Sequence, residues 1–197
     1  MQLLYTKRSP YARKVRILAL EKNIPLECID EDLQNKSQKL LTHNPVGKIP
    51  TLILDNGESL CDSPLICEYL DAQYPTPRFI PPDPQKRLKV LNMAAMADGL
   101  MDITVGAYLE TTRHPKDYNQ AWVETQKGNI QRLLRYFNQH SGELSEWHLG
   151  SLGVICALGY IQFRLGEVYQ PDQYPQLEKW CQGVSRRPSV ATTVPKA

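Results

Sequence analysis

The spacing of apolar residues changes along the chain and predicts two regions of different architecture. In the first region, the apolar run Leu3-Leu4-Tyr5 is followed by a helix-like stretch at 10–22 and a second strand-like run at 26–29. Short apolar runs predict strands, whereas apolar positions three or four residues apart predict a helix. The order strand, helix, strand predicts a βαβ unit at the start of the chain.

The remainder of this region predicts two antiparallel strands and a helix. A short helical segment at 34–41 precedes a strand at 51–54. Asp55-Asn56-Gly57 is then a hairpin signal that leads into a returning strand at 58–61. A final helix is predicted at 63–74, because its apolar residues share one face. The unit βαβ is thus expected to be completed by ββα.

Proline marks the end of the first domain. Five prolines between positions 74 and 87 disfavour both helix and sheet. We therefore predict an α/β domain at 1–75, a proline-rich linker at 76–87 and a second domain at 88–197. The second domain is helical in pattern throughout, with helices predicted at 88–113, 118–140, 151–165 and 177–187. Ser151 is expected to be the N-cap of the third of these helices.

Charge and hydropathy narrow the function classes. The 197 residues carry a formal net charge of only +2, which argues against nucleic acid as a partner because nucleic-acid binding needs a clustered basic surface. Arg13, Lys14 and Arg16 are interpreted as a solvated helix face. The longest uncharged apolar run, 149–161, is too short to span a bilayer, so it predicts a buried core helix and no membrane partner. The chain does not begin with a signal-peptide pattern, and a cytoplasmic location is expected.

Cysteine and histidine usage gives no sign of disulfides or a metal site. Five cysteines are an odd number, lack CxxC spacing and lie within apolar segments, so they are predicted to be buried thiols that form no disulfide. The four histidines include no i, i+4 pair, and no metal is expected.

Two helices are predicted to begin with the same dipeptide. Ser9-Pro10 and Ser63-Pro64 each read as a Ser N-cap followed by proline at the first helical position. Such a start is most simply a cap. However, a helix N-terminus also presents unpaired N–H groups and partial positive charge, and in α/β domains these ends lie where ligands bind. Two such ends would suit a ligand with two negative groups.

Between these helices, Ile49-Pro50 stands immediately before a predicted strand. A cis peptide bond here would turn the Ile49 N–H and C=O outward, where they could pair with an extended peptide-like ligand. An ordinary trans proline at the first position of a strand is the alternative.

These motifs carry a family resemblance. The βαβ-ββα order with Ser9-Pro10-Tyr11-Ala12 at the first helix resembles a thioredoxin or glutaredoxin fold whose two active-site cysteines are absent, which excludes dithiol exchange at this site. The wider pattern resembles the cytosolic glutathione S-transferase family, as a bacterial serine-type member. The matching segments are SPYARKVR at 9–16, NPVGKIP at 44–50, CDSPLICEYL at 61–70, YP at 174–175, Trp180 and RPSV at 187–190.

The resemblance implies roles for particular residues. Glutathione would be the co-substrate. Ile49 would pair its backbone with the cysteinyl part of glutathione, and cis-Pro50 would shape that edge. Asp62 and Ser63 would hold the γ-glutamyl end, whose carboxylate suits a helix start. Ser9 would donate a hydrogen bond to the glutathione sulfur and act as the catalytic residue.

Other residues compete for these roles. Tyr5 is the alternative activator of the thiol, because other branches of the family use a tyrosine near the end of the first strand, although packing in the sheet is the favoured explanation of this residue. Tyr11 could line the cleft. Asp98 could reach the amine of glutathione, including that of a partner subunit, or be an ordinary solvated carboxylate. Tyr108 and nearby methionines could form the electrophile pocket or belong to the core.

The resemblance implies a detoxification enzyme that ionises the glutathione thiol for attack on small electrophiles, and a homodimer. The alternative is a non-catalytic relative that retains the fold and binds protein partners. Binding to immobilised glutathione and turnover of a generic aryl halide distinguish these hypotheses.

Overall fold

The first part of the chain forms a mixed four-stranded sheet, and helices connect its strands along the sequence. The computed structural model describes residues 1–113 and 115–196. It divides them into two units, Met1–Pro81 together with the C-terminal segment from Pro188, and Pro82–Arg187. The elements of the first unit are β1 (Gln2–Tyr5), α1 (Pro10–Glu21), β2 (Glu27–Asp30), α2 (Gln38–His43), β3 (Thr51–Ile53), β4 (Ser59–Leu60), α3 (Ser63–Gln73) and, near the C-terminus, α8 (Pro188–Ala191).

The sheet has the strand order β2-β1-β3-β4. β1 pairs in parallel with β2, and antiparallel with β3, while β3 and β4 form an antiparallel hairpin. One face of the sheet is covered by a core cluster of Leu4, Leu40 from α2 and Ile53. The βαβ-ββα order predicted from the sequence is confirmed, and it gives a thioredoxin-like domain.

The C-terminal segment was predicted to belong to the second domain at 88–197, but it packs on the first unit. α8 lies against α1. The buried Arg13 side chain donates hydrogen bonds to the Val190 carbonyl (3.2 Å) and the Thr193 hydroxyl (3.4 Å). The interpretation of α1's basic residues as a solvated face is therefore wrong for Arg13 and Lys14, which are 3% and 1% exposed.

A buried ion pair anchors the segment after α3, within the predicted linker. The side chains of Lys22 and Asp71 are 0% and 4% exposed and lie 2.7 Å apart. Lys22 Nζ also donates to the carbonyls of Tyr74 and Pro77, both at 2.6 Å. Asp71 accepts the backbone N–H groups of residues 79 and 80 at 2.8 and 2.9 Å. The first part of the proline-rich stretch is consequently fixed to the α/β domain.

The second unit is helical, as predicted, but its first helix begins at Pro84, inside the stretch 76–87 predicted as a linker, because proline is tolerated in the first turn of a helix. Its helices are α4 (Pro84–Arg113), α5 (Gln120–Gln139), α6 (Leu149–Arg164) and α7 (Pro175–Val184), with short 3₁₀ turns at Ser141–Leu144, Gly166–Val168 and Pro171–Gln173. α6 packs closely along α4, because a Cβ on Gly150 or Gly153 would come 2.7 Å from Met93 or 2.9 Å from Ala97. Residues 149–158 are buried without interruption, which confirms the predicted core helix.

The predicted cap of α6 is wrong. His148, not Ser151, is the N-cap, and Ser151 is the third helical residue. His148 Nδ1 accepts the Ser151 N–H at 3.1 Å, while the Ser151 hydroxyl oxygen accepts the His148 N–H at 2.9 Å. These reciprocal bonds form a complete capping box in which a histidine and a serine replace the usual pair.

Two further expectations concern cysteines and membrane spans. Cys28 and Cys61 are exposed, contrary to the prediction of burial, whereas the other three cysteines are buried. Cys28 lies within the edge strand β2, and Cys61 immediately follows the other edge strand, β4. No single helix in the described residues is long and apolar enough to cross a membrane, and α6 passes on length and composition only together with Gly166–Gln173, a pair bent by 113°.

Candidate active site at one end of the sheet

The strand register brings three predicted motifs to the same end of the sheet. Leu4 pairs with Thr51, so the end of β1 lies beside the start of β3. Leu52 pairs with Leu60, so the end of β4 lies beside the same place. The same end of the sheet therefore holds three segments: the loop to Ser9, the Ile49–Pro50 pair and the entry to α3.

Ser9 is the N-cap of α1, as predicted. Its hydroxyl oxygen accepts the Ala12 N–H at 3.2 Å, and Pro10 occupies the first turn. Because the oxygen is the acceptor in this bond, the hydroxyl proton is directed elsewhere. Ser9 is partly exposed. The arrangement places a hydroxyl donor at the positive end of a twelve-residue helix.

The Ile49–Pro50 peptide bond is cis, which is the alternative that the family resemblance implied. Pro50 is buried and Ile49 is partly exposed immediately before β3. The side chain of Ile49 packs against the core cluster of Leu4, Leu40 and Ile53. The side chain of Ile49 thus fixes the backbone of this residue at the same end of the sheet.

Asn44 organises this loop, a role that the sequence analysis missed. Its side chain is 1% exposed, and its amide nitrogen donates to the Lys48 carbonyl (2.8 Å) and the Thr51 hydroxyl (3.0 Å). Its amide oxygen accepts the Val46 N–H at 3.1 Å. Gly47 completes the turn with φ +65°, a conformation that favours glycine. Asn-Pro followed by Gly and Pro was the sequence signal for this built turn.

Asp62 and Ser63 lie at the start of α3, but Ser63 does not cap this helix as Ser9 caps α1. The N-cap is Asp62, which is exposed and makes no side-chain cap bond, and Ser63 is the first helical residue. The prediction of a Ser63 cap is therefore wrong. The Ser63 side chain is 1% exposed, and its hydroxyl has no hydrogen-bond partner among the described residues. A buried hydroxyl without a partner is unfavourable, so this group is suited to an incoming ligand.

The two candidate tyrosines differ in accessibility. Tyr5 is 7% exposed, at the end of β1, and the Arg16 guanidinium lies 5.0 Å from its ring centroid. These contacts explain Tyr5 as a packed sheet residue. Tyr11, in the first turn of α1, is partly exposed.

The other candidates lie in the helical unit. Asp98 and Tyr108 are partly buried residues of α4, and Tyr108 contacts the guanidinium of Arg164 on α6, 4.3 Å from its ring centroid. Among the described residues, no three histidine, cysteine or acidic side chains are grouped so as to hold a metal ion. His114 lies outside the described residues.

Comparison with known proteins identifies the family. A model for the glutathione S-transferase N-terminal domain matches residues 3–78. Over nearly its whole length the chain is 32% identical to YibF, an uncharacterized GST-like protein of Escherichia coli K12, covering 99% of this chain and 98% of that protein.

Solved structures agree with this result. A glutathione transferase family member from Pseudomonas fluorescens Pf-5, with bound glutathione, is 35% identical with a TM-score of 0.93, covering 100% of this chain and 99% of that one. A glutathione S-transferase from Methylobacillus flagellatus, also with glutathione, is 36% identical with a TM-score of 0.92, covering 99% of each chain. By sequence and by fold, the chain belongs to the glutathione S-transferase family.

Proposed function

We propose that this protein is a glutathione transferase in which Ser9 stabilises the thiolate of glutathione for attack on small electrophiles. The observation that carries this proposal is the Ser9 hydroxyl, which accepts the Ala12 N–H at the start of α1 and keeps its own proton for a ligand. Two solved relatives that match nearly the full length of this chain contain bound glutathione, which supports the choice of co-substrate.

The magnitudes are sufficient for thiol activation. Lowering the pKa of a thiol by about two requires roughly 2.7 kcal/mol of preference for the thiolate. A hydrogen bond to a charged group contributes about 1.5–3 kcal/mol, and a helix N-terminus up to about 2 kcal/mol. Ser9 and the first turn of α1 together supply this range. No covalent intermediate with the protein is required.

Residues at the same end of the sheet would bind the rest of glutathione. The backbone N–H and C=O of Ile49, held before cis-Pro50, would pair with the cysteinyl residue of the tripeptide. The γ-glutamyl carboxylate would accept a hydrogen bond from the Ser63 hydroxyl, which lacks a protein partner. Binding would thereby satisfy a buried donor and place a negative charge at the start of α3. The exposed Asp62 carboxylate would attract the γ-glutamyl amine.

The reaction would be a substitution or an addition at carbon. With an aryl chloride, the thiolate sulfur forms a bond to the ring carbon, chloride leaves with the bonding electrons, and the thiol proton passes to solvent. The related Pseudomonas fluorescens protein was also solved with S-(propanoic acid)-glutathione, in which the sulfur carries a carbon group. We propose the same type of product here, formed by a homodimer in which Asp98 of the partner subunit would contribute to binding the amine.

Retention on immobilised glutathione and turnover of 1-chloro-2,4-dinitrobenzene test the proposal. Ser9→Ala is expected to lower turnover by about tenfold to a hundredfold, as for loss of roughly 1.5–3 kcal/mol, with a smaller effect on glutathione affinity. Ser37→Ala is the matched control, because Ser37 caps α2 by accepting the Leu40 N–H, while its own hydroxyl donates to Glu31. Ultraviolet titration of the thiolate gives the pKa of bound glutathione directly. A protein that neither binds the column nor turns over substrate contradicts the enzyme function, and equal turnover in Ser9→Ala contradicts the role of Ser9.

A further inference from the structure

Lys7 and Arg8 form the tip of the turn that leads to Ser9. The Ser9 N–H donates to the Thr6 carbonyl at 3.2 Å and closes a four-residue turn in which Lys7 and Arg8 are the two central residues. Both side chains are exposed, whereas Thr6 before them and Pro10 after them are buried. The backbone of the turn is thus fixed at both ends, and its two charged side chains extend into solvent.

These two cations have no counterion among the described residues. Positions 1–20 contain five basic residues and no aspartate or glutamate. Three of the five are engaged elsewhere: Arg13 donates to the C-terminal segment, Lys14 is buried, and the Arg16 guanidinium lies over an aromatic ring. Neither Lys7 nor Arg8 makes a hydrogen bond or an ion pair with the described part of the chain.

The acidic residues at this end of the sheet form no ion pair with the turn. Asp30, Glu31 and Asp32 follow one another at the end of β2. Glu31 is buried and accepts a hydrogen bond from the hydroxyl that caps α2, while Asp32 accepts a backbone N–H of its own loop. Asp62 begins α3, where the proposed function assigns it to the amine of glutathione. The positive charge beside Ser9 is therefore available to a ligand.

The reaction itself places the electrophile beside this turn. Ser9 is proposed to donate a hydrogen bond to the glutathione sulfur, and the electrophilic carbon must come within bonding distance of the same sulfur. Neighbouring Cα atoms are about 3.8 Å apart, so the charges of residues 7 and 8 can approach the substituents of a small electrophile to within about 8 Å. This relation depends only on chain connectivity within the first unit.

The attacking thiolate is itself negative and therefore repels an electrophile that carries an acidic group. The Ser9 hydroxyl and the first turn of α1 stabilise the sulfur, so a second negative group needs positive charge of its own. We propose that Lys7 and Arg8 are specificity-determining residues, which select electrophiles that carry a negatively charged group such as a carboxylate. This inference rests on the proposed transferase function, and it deepens that function by specifying the charge of the second substrate.

Two aryl chlorides that differ mainly in charge test the proposal: 4-chloro-3,5-dinitrobenzoate and its methyl ester. Each kcat/KM is divided by the rate constant of the uncatalysed reaction with glutathione at the same ionic strength, so that intrinsic reactivity cancels. Because both compounds react with the same thiolate, any effect on glutathione cancels in the ratio as well. Two unit charges at about 8 Å in water should favour the acid about fivefold at low ionic strength. At 1 M salt, where the Debye length is about 3 Å, the preference should fall below about 1.5-fold.

Variants at positions 7 and 8 identify the source of the preference. Lys7→Met combined with Arg8→Met is expected to remove it, and Lys7→Glu combined with Arg8→Glu to reverse it, because the introduced charges repel the acid. Arg78→Met is the control for the loss of an exposed arginine. Arg78 follows Pro77, whose carbonyl accepts from Lys22 at the far end of α1, about 18 Å along the helix from its start. No preference in the unmodified protein, or an unchanged preference in the double methionine variant, would overturn the proposal.

Binding provides a readout that does not need catalysis. S-(carboxymethyl)glutathione and S-(carbamoylmethyl)glutathione have nearly the same shape and differ in the charge of the group attached to sulfur. Calorimetry at low ionic strength should show about fivefold tighter binding of the acid, and the double methionine variant should lose this difference. Tighter, salt-sensitive binding of the acid without turnover of either aryl chloride supports the charge selection and contradicts the transferase function alone. Equal binding of the two conjugates contradicts the charge selection, whether or not the aryl chlorides are turned over.

Discussion

Replacing Asp71 is expected to destabilise the protein strongly, because this carboxylate joins three parts of the first unit. It forms an ion pair with the Lys22 ammonium at 2.7 Å and accepts hydrogen bonds from the backbone N–H groups of Phe79 and Ile80 at 2.8 and 2.9 Å. Both charged side chains are almost completely buried. Asp71→Asn retains the shape and one acceptor oxygen but leaves the Lys22 charge without its counterion.

The expected magnitude follows from burial. Removing one partner of a buried ion pair costs about 3–5 kcal/mol, since the remaining charge stays out of water. Domains of this kind are stable by about 5–15 kcal/mol in total. We therefore expect Asp71→Asn and Lys22→Met each to lower the free energy of unfolding by about 3 kcal/mol or more. The double variant should cost less than the sum, because it removes both charges together.

Urea unfolding followed by circular dichroism measures these changes as shifts in midpoint at constant slope. Lys127→Met is the control, because Lys127 pairs with Glu124 at 3.1 Å on the surface, where such a pair contributes about 0–1 kcal/mol. Single variants that cost less than about 1 kcal/mol, or a double variant whose cost equals the sum, would refute the reasoning that the buried pair is a coupled unit.

Two further predictions concern the loop before β3 and the cap of α6. Asn44→Ala is expected to raise the KM for glutathione by about tenfold with a smaller change in kcat. The reason is that loss of three side-chain hydrogen bonds, at about 1 kcal/mol each, loosens the loop that presents Ile49. Asn56→Ala in the exposed hairpin turn is the control, and an unchanged KM in Asn44→Ala would contradict this role of Asn44. Burial lowers the pKa of His148 from its ordinary 6.5, and the cap requires an unprotonated Nδ1. The contribution of this cap to the free energy of unfolding should therefore be complete above about pH 6.5 and fall as the pH decreases below it. Urea midpoints at several pH values should show a weaker fall for His148→Asn, which keeps a capping oxygen but does not titrate; an identical fall in both proteins would show that other groups cause it.

The α/β domain could be read from the sequence because its signals are local. Apolar runs, the Asp55-Asn56-Gly57 turn and proline at the start of α1 each act within a few residues, and the structure confirms the elements that they predict. Ser9 could likewise be identified as a cap, since the cap bond to Ala12 spans three residues. The helices of the second unit follow from the same short-range periodicity.

Ser63 shows where local reasoning fails. Ser9-Pro10 and Ser63-Pro64 are the same dipeptide, yet only Ser9 caps its helix. The chain enters α3 directly from β4, and this path makes Asp62 the extended residue before the helix and buries the Ser63 hydroxyl. Which residue becomes the cap thus depends on how the preceding strand is paired.

Arg13 and Lys14 illustrate the same limit for charge. A run of basic residues on a helix is usually solvated, and nothing close in sequence indicates otherwise. The segment that packs against α1 begins at Pro188, and the oxygens that accept the Arg13 hydrogen bonds belong to residues about 180 positions away. Asn44 is different, because its partners are near in sequence but are fixed by a backbone turn that the residue names alone do not specify.

The sequence by itself determined the order of helices and strands, the division into an α/β and a helical part, and the family, because these depend on periodicity, turn residues and motif order. Only the tertiary structure decided which charges are buried, which hydroxyl lacks a partner and which aromatic rings hold Arg164. The physical reason is that burial and hydrogen-bond partnership are properties of contacts between distant segments, and these contacts exist only once the chain has folded.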